Sequence, residues 1–216
     1  FTKLDIRSGY HQIRMNTELM NHKIAETFTG KPSRKEAEKA VATLLMWAGD
    51  DPAREGLKDT PKRVVDAYLE MFSGYAYDPK VILGKTFANV DNYNEIVLLK
   101  DIAFESCCEH HILPIIGVAH IAYVSKDRLV GLSKLARLID VFAKRLQTQE
   151  GMTSQIIRAL EEALSPVGAM VIIEAQHSCM SIRGVHKSSA ITVTEKFTGC
   201  FVEGTMQDRV YKLISN

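Results

Sequence analysis

The chain has 216 residues, 46% hydrophobic and 25% charged, which excludes a disordered or fibrous protein and allows one sizeable core with a small appendage. Its 27 basic and 26 acidic side chains nearly cancel, so nucleic-acid binding by bulk electrostatics is excluded and an anionic ligand must be caught at a local site. No apolar run reaches the roughly 18 residues of a membrane span, and the start lacks the regions of a secretory signal, so the expected location is cytoplasmic with no membrane partner.

Residues 1–19 have no helical or strand period that continues past Met20. Phe1 to Met15 resembles the segment of retroelement reverse transcriptases that carries their first catalytic aspartate, here Asp5, yet no Tyr-x-Asp-Asp stretch occurs downstream. The segment reads as a leader, a fusion or a gene-model artefact, with Met20 the candidate native start. Ser33 and Glu36 form a capping box, and Ala37, Val41, Leu44, Leu45 and Ala48 then recur at helical spacing as far as Gly49. Thr60 as N-cap and Pro61 at the first helical position open a second helix, with Val64, Tyr68, Met71 and Phe72 along one face. A helical region over 20–90 is predicted.

The pattern then turns to strands over 95–103 and 115–124, rich in Ile and Val and separated by a polar knot from Glu105 to His111. Leu132, Leu135, Leu138, Ile139 and Phe142 mark a third helix; Thr153, Ile156, Ile157, Leu160 and Leu164 mark a fourth, stopped by Ser165-Pro166. Two more strands are expected over 169–176 and 190–197, and Met206, Val210, Leu213 and Ile214 belong to a last helix. The short connections inside each strand pair cannot hold a parallel crossover, which predicts an α+β fold over 91–216, an antiparallel sheet with helices on one face.

Four cysteines, Cys107, Cys108, Cys179 and Cys200, are too few and too unevenly spaced for a disulfide scaffold. Cys108-Glu109-His110-His111 offers a thiolate and an imidazole three residues apart, and His177-Ser178-Cys179 a second thiolate. A structural zinc normally takes four protein ligands and a catalytic one three, with a position left for water, so a Cys2His set with His110 and His177 beside it as proton donors favours catalysis. Cys107 could in principle replace Cys108, and buried cysteines beside hydrogen-bonding histidines are the plainer alternative.

Gly131-Leu132-Ser133-Lys134 suggests a phosphate site, with Ser133 capping the third helix, Lys134 and Arg137 sharing a face, and Arg183 adding a bidentate contact. Each cation taken singly reads better as a solvated charge. Glu150, on an expected loop with Gln149, could accept a ring N–H and an exocyclic amine, the pair that guanine offers.

Taken together, Cys108-Glu109-His110-His111, Gly131-Leu132-Ser133-Lys134 with Arg137, Gln147-Thr148-Gln149-Glu150, and His177-Ser178-Cys179-Met180 with Arg183-Gly184 resemble the ordered motifs of GTP cyclohydrolase I. The resemblance runs from about Ser33 to the C-terminus, and Asp59-Thr60-Pro61-Lys62-Arg63 also looks like the family's. It implies zinc held by Cys108, His111 and Cys179, acid–base roles for His110 and His177, and purine and ribose contacts from Glu150 with Gln149. Ser133, Lys134, Arg137 and Arg183 would hold the triphosphate of GTP, with Arg63 a further member.

The implied reaction releases formate and forms 7,8-dihydroneopterin triphosphate, the first step towards tetrahydrofolate and pterins. The implied architecture is the tunnelling fold, assembled as a homo-decamer of two pentameric rings whose sites are completed by neighbouring subunits. Gly151 departs from the family pattern, which has a basic residue there in many members. Two rivals predict different chemistry: a nitrile reductase of the same fold would use a cysteine nucleophile and nicotinamide, and a zinc-stabilised interaction domain would close its metal site with four ligands.

Overall fold

The computed structural model describes residues 30–215, so the leader-like segment and Met20 lie outside the described residues. Two compact units divide between Ala76 and Tyr77.

In the first unit, α1 (Arg34–Trp47) starts at the expected capping box: the Glu36 N–H donates to Ser33 Oγ at 3.3 Å and the Ser33 N–H to the Glu36 carboxylate at 2.7 Å. Helix α2 (Thr60–Met71) is capped one residue earlier than the sequence suggested, by Asp59. The reason is the backbone, because the first i to i−4 bond runs from the Arg63 N–H to the Asp59 carbonyl at 3.0 Å, while the Thr60 N–H turns back to Leu57. Neither helix buries a residue fully, and Trp47 is 86% exposed.

The second unit runs through α3 (Pro79–Leu83), β1 (Thr86–Ala88), β2 (Ile96–Cys108), β3 (Pro114–Val124), β4 (Arg128–Val130) and α4 (Leu132–Ala143). It continues with β5 (Leu146–Gln147), α5 (Gln149–Leu164), β6 (Gly168–His177), α6 (Ser178–Ser181), β7 (Thr192–Gly199) and α7 (Gly204–Ser215). Five strands pair in the order β5-β2-β3-β6-β7, antiparallel except for the short parallel β2–β5 pairing, and β1 pairs with β4 separately. The α+β class is as predicted.

Strand alternation sends Phe104, Ile115, Ile121, Tyr123, Val171 and Ile173 to one face, where they pack with Leu135, Leu138 and Ile139 of α4 and Ile156, Ile157 and Leu160 of α5. The intervening Ala122, Val124, Met170 and Ile172 are apolar too, and they pack with Val210 of α7 and with Phe201. Helices therefore lie on both faces, which corrects the one-faced expectation: the part of the second face that carries Ala122, Val124, Met170 and Ile172 is apolar and is covered by α7. At Gly117 a Cβ would stand against the Glu174 carbonyl and Ala175, so only glycine lets β3 and β6 approach at that point.

Candidate active site

The sheet register gathers the chemistry at one end. β3 runs antiparallel to both β2 and β6, pairing Pro114 with Cys107 and Ile115 with His177, so the last residues of β2 and β6 flank the start of β3. β5 pairs in parallel with the end of β2, setting Gln147 beside Cys108 just before α5 begins.

Cys108 ends β2 and is buried, 4% exposed. The chain then turns tightly: the Cys108 N–H donates to the Leu113 carbonyl and the Ile112 N–H to the Cys108 carbonyl, both at 2.9 Å, with Ile112 at φ 54°. This turn brings His111 Nδ1 to 3.6 Å from Cys108 Sγ. Cys179 lies on the single turn of α6 directly after β6, and the ligand atoms of Cys108, His111 and Cys179 all fall within 4.8 Å of one another. These three side chains could hold a metal ion. Cys107 points to the other side of the strand, away from the cluster that includes Cys108, as alternation requires.

Burial pushes the Cys179 thiol up, and the neighbouring Cys108 adds to the rise through its charge and a hydrogen bond. Cys107 is raised for the same first reason, desolvation. Two sulfurs this close repel as thiolates, and a bound cation is what reverses that preference.

His177 ends β6, and its Nε2 lies 2.7 Å from Gln149 Oε1. Desolvation lowers its pKa, opposed by the negative charge of Glu150. Gln149, expected near a ribose, is 2% exposed, and its Nε2 donates to the carbonyls of Ile173 and Thr192 at 2.9 and 3.0 Å. Gln149 and Glu150 occupy the first turn of α5 where a loop was expected, because Thr148 caps that helix through the Gly151 N–H at 3.1 Å. Thr148 before a Gln-Glu pair was the sequence signal for this start. Glu150 itself is exposed.

His110 is exposed and faces Glu109 at 3.8 Å, and its ring meets that of His111 edge-on at 6.3 Å. At the start of α4 the N-cap is Gly131, so Ser133 sits inside the first turn and does not cap it. Ser133 and Arg137 are exposed and Lys134 half-buried, and Arg183 is exposed on the stretch after α6. Among the described residues Lys134, Arg137 and Arg183 form no ion pair. Arg63 belongs to the first unit and faces Asp59 at 3.7 Å. No helix among the described residues is long and apolar enough to cross a membrane.

An α+β sheet that ends in a three-membered Cys2His group, with a second histidine held in place beside it, defines a candidate metal-dependent enzyme. The family model described as GTP cyclohydrolase I matches residues 37–215, and the chain belongs to the GTP cyclohydrolase I family of enzymes. GTP cyclohydrolase 1 of Maricaulis maris is 54% identical over 193 residues, covering 89% of this chain and 94% of its own. That of Hyphomonas neptunium is 59% identical over 171 residues, 79% of this chain and 83% of its own, and that of Sinorhizobium fredii 52% identical over 187 residues, 87% and 91%.

Proposed function

We propose that this chain converts GTP and one net water into formate and 7,8-dihydroneopterin triphosphate, at the head of tetrahydrofolate and pterin synthesis. The observation that carries the reading is the convergence of Cys108, His111 and Cys179 within 4.8 Å in a chain of this family. Two thiols and an imidazole suit zinc, and three protein ligands leave a coordination position open. Zinc held there would supply Lewis acidity and bring a water pKa down towards about 7.

In this reading Glu150 accepts the ring N–H and exocyclic amine of guanine, which fixes the purine at the N-terminal turn of α5. Water adds to C8 while His110 delivers a proton to N7, so that the electron density reaching the imidazole ring is neutralised as it develops. Release of C8 as formate leaves a diaminopyrimidine, and His177 then moves protons for sugar opening, Amadori rearrangement and reclosure. Ser133, Lys134, Arg137 and Arg183 hold the triphosphate; that Lys134, Arg137 and Arg183 form no ion pair among the described residues favours an anionic ligand.

The assembly belongs to the same reading: a tunnelling fold, ten copies in two stacked rings of five, working in the cytoplasm. The 86% exposed Trp47, with Leu44, Ile116 and Val193 each more than half exposed, supports association between copies. Oxidation of the reaction mixture and pterin fluorescence test the function: a fluorescent pterin is expected from GTP, and its absence from zinc-loaded, assembled protein overturns the assignment.

A further inference from the structure

We propose that Gln149 is a positioning residue that locks His177 in the tautomer with hydrogen on Nε2, leaving Nδ1 as the ring nitrogen that exchanges protons with the substrate. The proton exchange rests on the cyclohydrolase reading, whereas the tautomer does not.

The amide of Gln149 admits one orientation. Its nitrogen stands 2.9 Å from the Ile173 carbonyl oxygen and 3.0 Å from the Thr192 carbonyl oxygen, and both of these atoms can only accept. A flipped amide would set its oxygen against these two carbonyl oxygens and forfeit both of the donations the amide nitrogen makes to them. The atom 2.7 Å from His177 Nε2 is therefore Oε1, which accepts, so Nε2 must donate. In the neutral ring the lone pair then sits on Nδ1.

The clamp is built to hold. Gln149 is the first residue of α5, and its carbonyl accepts the Thr153 hydroxyl at 2.8 Å; that hydroxyl also meets the Thr194 hydroxyl at 2.7 Å. The amide thus spans from α5 to carbonyls of β6 and β7, and at 2% exposure it has both hydrogens engaged within the protein. Gln149 acts on the substrate through His177, which it orients and keeps from donating outward from Nε2.

Solid-state nitrogen NMR of the zinc-loaded full chain with labelled histidine tests this, with the His177 signals identified by their loss in His177→Asn. The expected wild-type spectrum has a protonated Nε2 and a bare Nδ1 in the neutral ring. In Gln149→Leu the single tautomer is lost and kcat for GTP falls about tenfold or more, part of the roughly 10²–10⁴-fold that general acid–base catalysis supplies, while KM changes by less than about twofold. A wild-type His177 protonated on Nδ1, or a Gln149→Leu protein with unchanged tautomer and kcat, overturns the proposal. If Gln149→Leu does not fold, the wild-type spectrum alone decides the tautomer. A protein with the expected tautomer that never turns over GTP would refute the cyclohydrolase reading and leave the Gln149–His177 clamp standing.

Discussion

Cys108 Sγ and His111 Nδ1 stand 3.6 Å apart because the strand that carries the cysteine ends in a turn rather than a helix. The turn depends on Ile112 at φ 54° and on two backbone bonds across Cys108, so the spacing of this candidate ligand pair is set by local backbone.

Removal of one ligand should separate metal binding from folding. Cys179→Ala should retain the fold, since Cys179 lies on a single turn that buries no residue, but zinc affinity should fall by more than the ~10–100-fold that loss of a supporting partner costs. Metal content after dialysis against a graded chelator measures it, and wild-type retention of zinc in that variant would exclude Cys179 as a ligand.

Gly117 should tolerate no side chain. Gly117→Ala presses a methyl group on the Glu174 carbonyl and Ala175, and the destabilisation should reach at least the ~1–3 kcal/mol of an overpacked core. Gly204→Ala is the control: nothing lies within 4 Å of the added carbon, so stability should hold or rise by up to about 1 kcal/mol. Chemical denaturation of both variants, followed to the midpoint, separates the two cases.

The start of α5 should respond to its cap. Thr148→Ala removes the acceptor of the Gly151 N–H and should cost about 0.5–2 kcal/mol, whereas Thr148→Ser should restore most of it. Because Gln149 is the next residue, the same Ala variant should also lower activity more than the stability loss explains, and an activity unchanged at full folding would contradict the coupling.

His120 makes stability depend on pH. It is 3% exposed; Nδ1 accepts the Asp101 N–H at 3.2 Å, Nε2 has no hydrogen-bond partner, and Glu174 stands 3.9 Å away. Desolvation lowers its pKa, outweighing Asp101 and Glu174, which raise it, while Lys100 lowers it further. A depressed folded pKa means that the unfolded chain takes up a proton the folded chain refuses, so the slope of stability against pH is positive in that window. Stability from this residue should be complete above about pH 6.5 and be lost as pH falls from there through the folded pKa. Denaturation curves between pH 7 and 5 should show a shallower decline for His120→Gln than for the wild type; parallel declines would remove His120 from the account.

Long periodic segments were legible in the sequence. Val41 and Leu45 on α1 and Leu135 and Leu138 on α4 recur at helical spacing, and the runs of β3 and β6 show themselves by their β-branched residue types rather than by a period. The two-residue β5 was not legible, since Leu146-Gln147 has no period, and yet it positions α5 against Cys108. The Cys108, His111 and Cys179 group, which could hold a metal ion, was visible in the sequence by its residue types. The bond between Gln149 and His177 was not visible, because it depends on β6 and α5 meeting across 28 residues. That the expected last helix packs on the second sheet face escaped notice for a related reason: apolar residues on both sides of a strand look the same as a buried run.

Formate is the product whose carbon comes only from C8 of the purine, so its release is the most direct measure of the central claim. Zinc-loaded protein given GTP should release one formate per GTP consumed; the chelated protein should release none and regain the activity when zinc is restored, and Cys179→Ala should not regain it. Formate that appears equally with and without metal, or GTP that persists with a fully occupied Cys108–His111–Cys179 site in the assembled protein, would contradict the account.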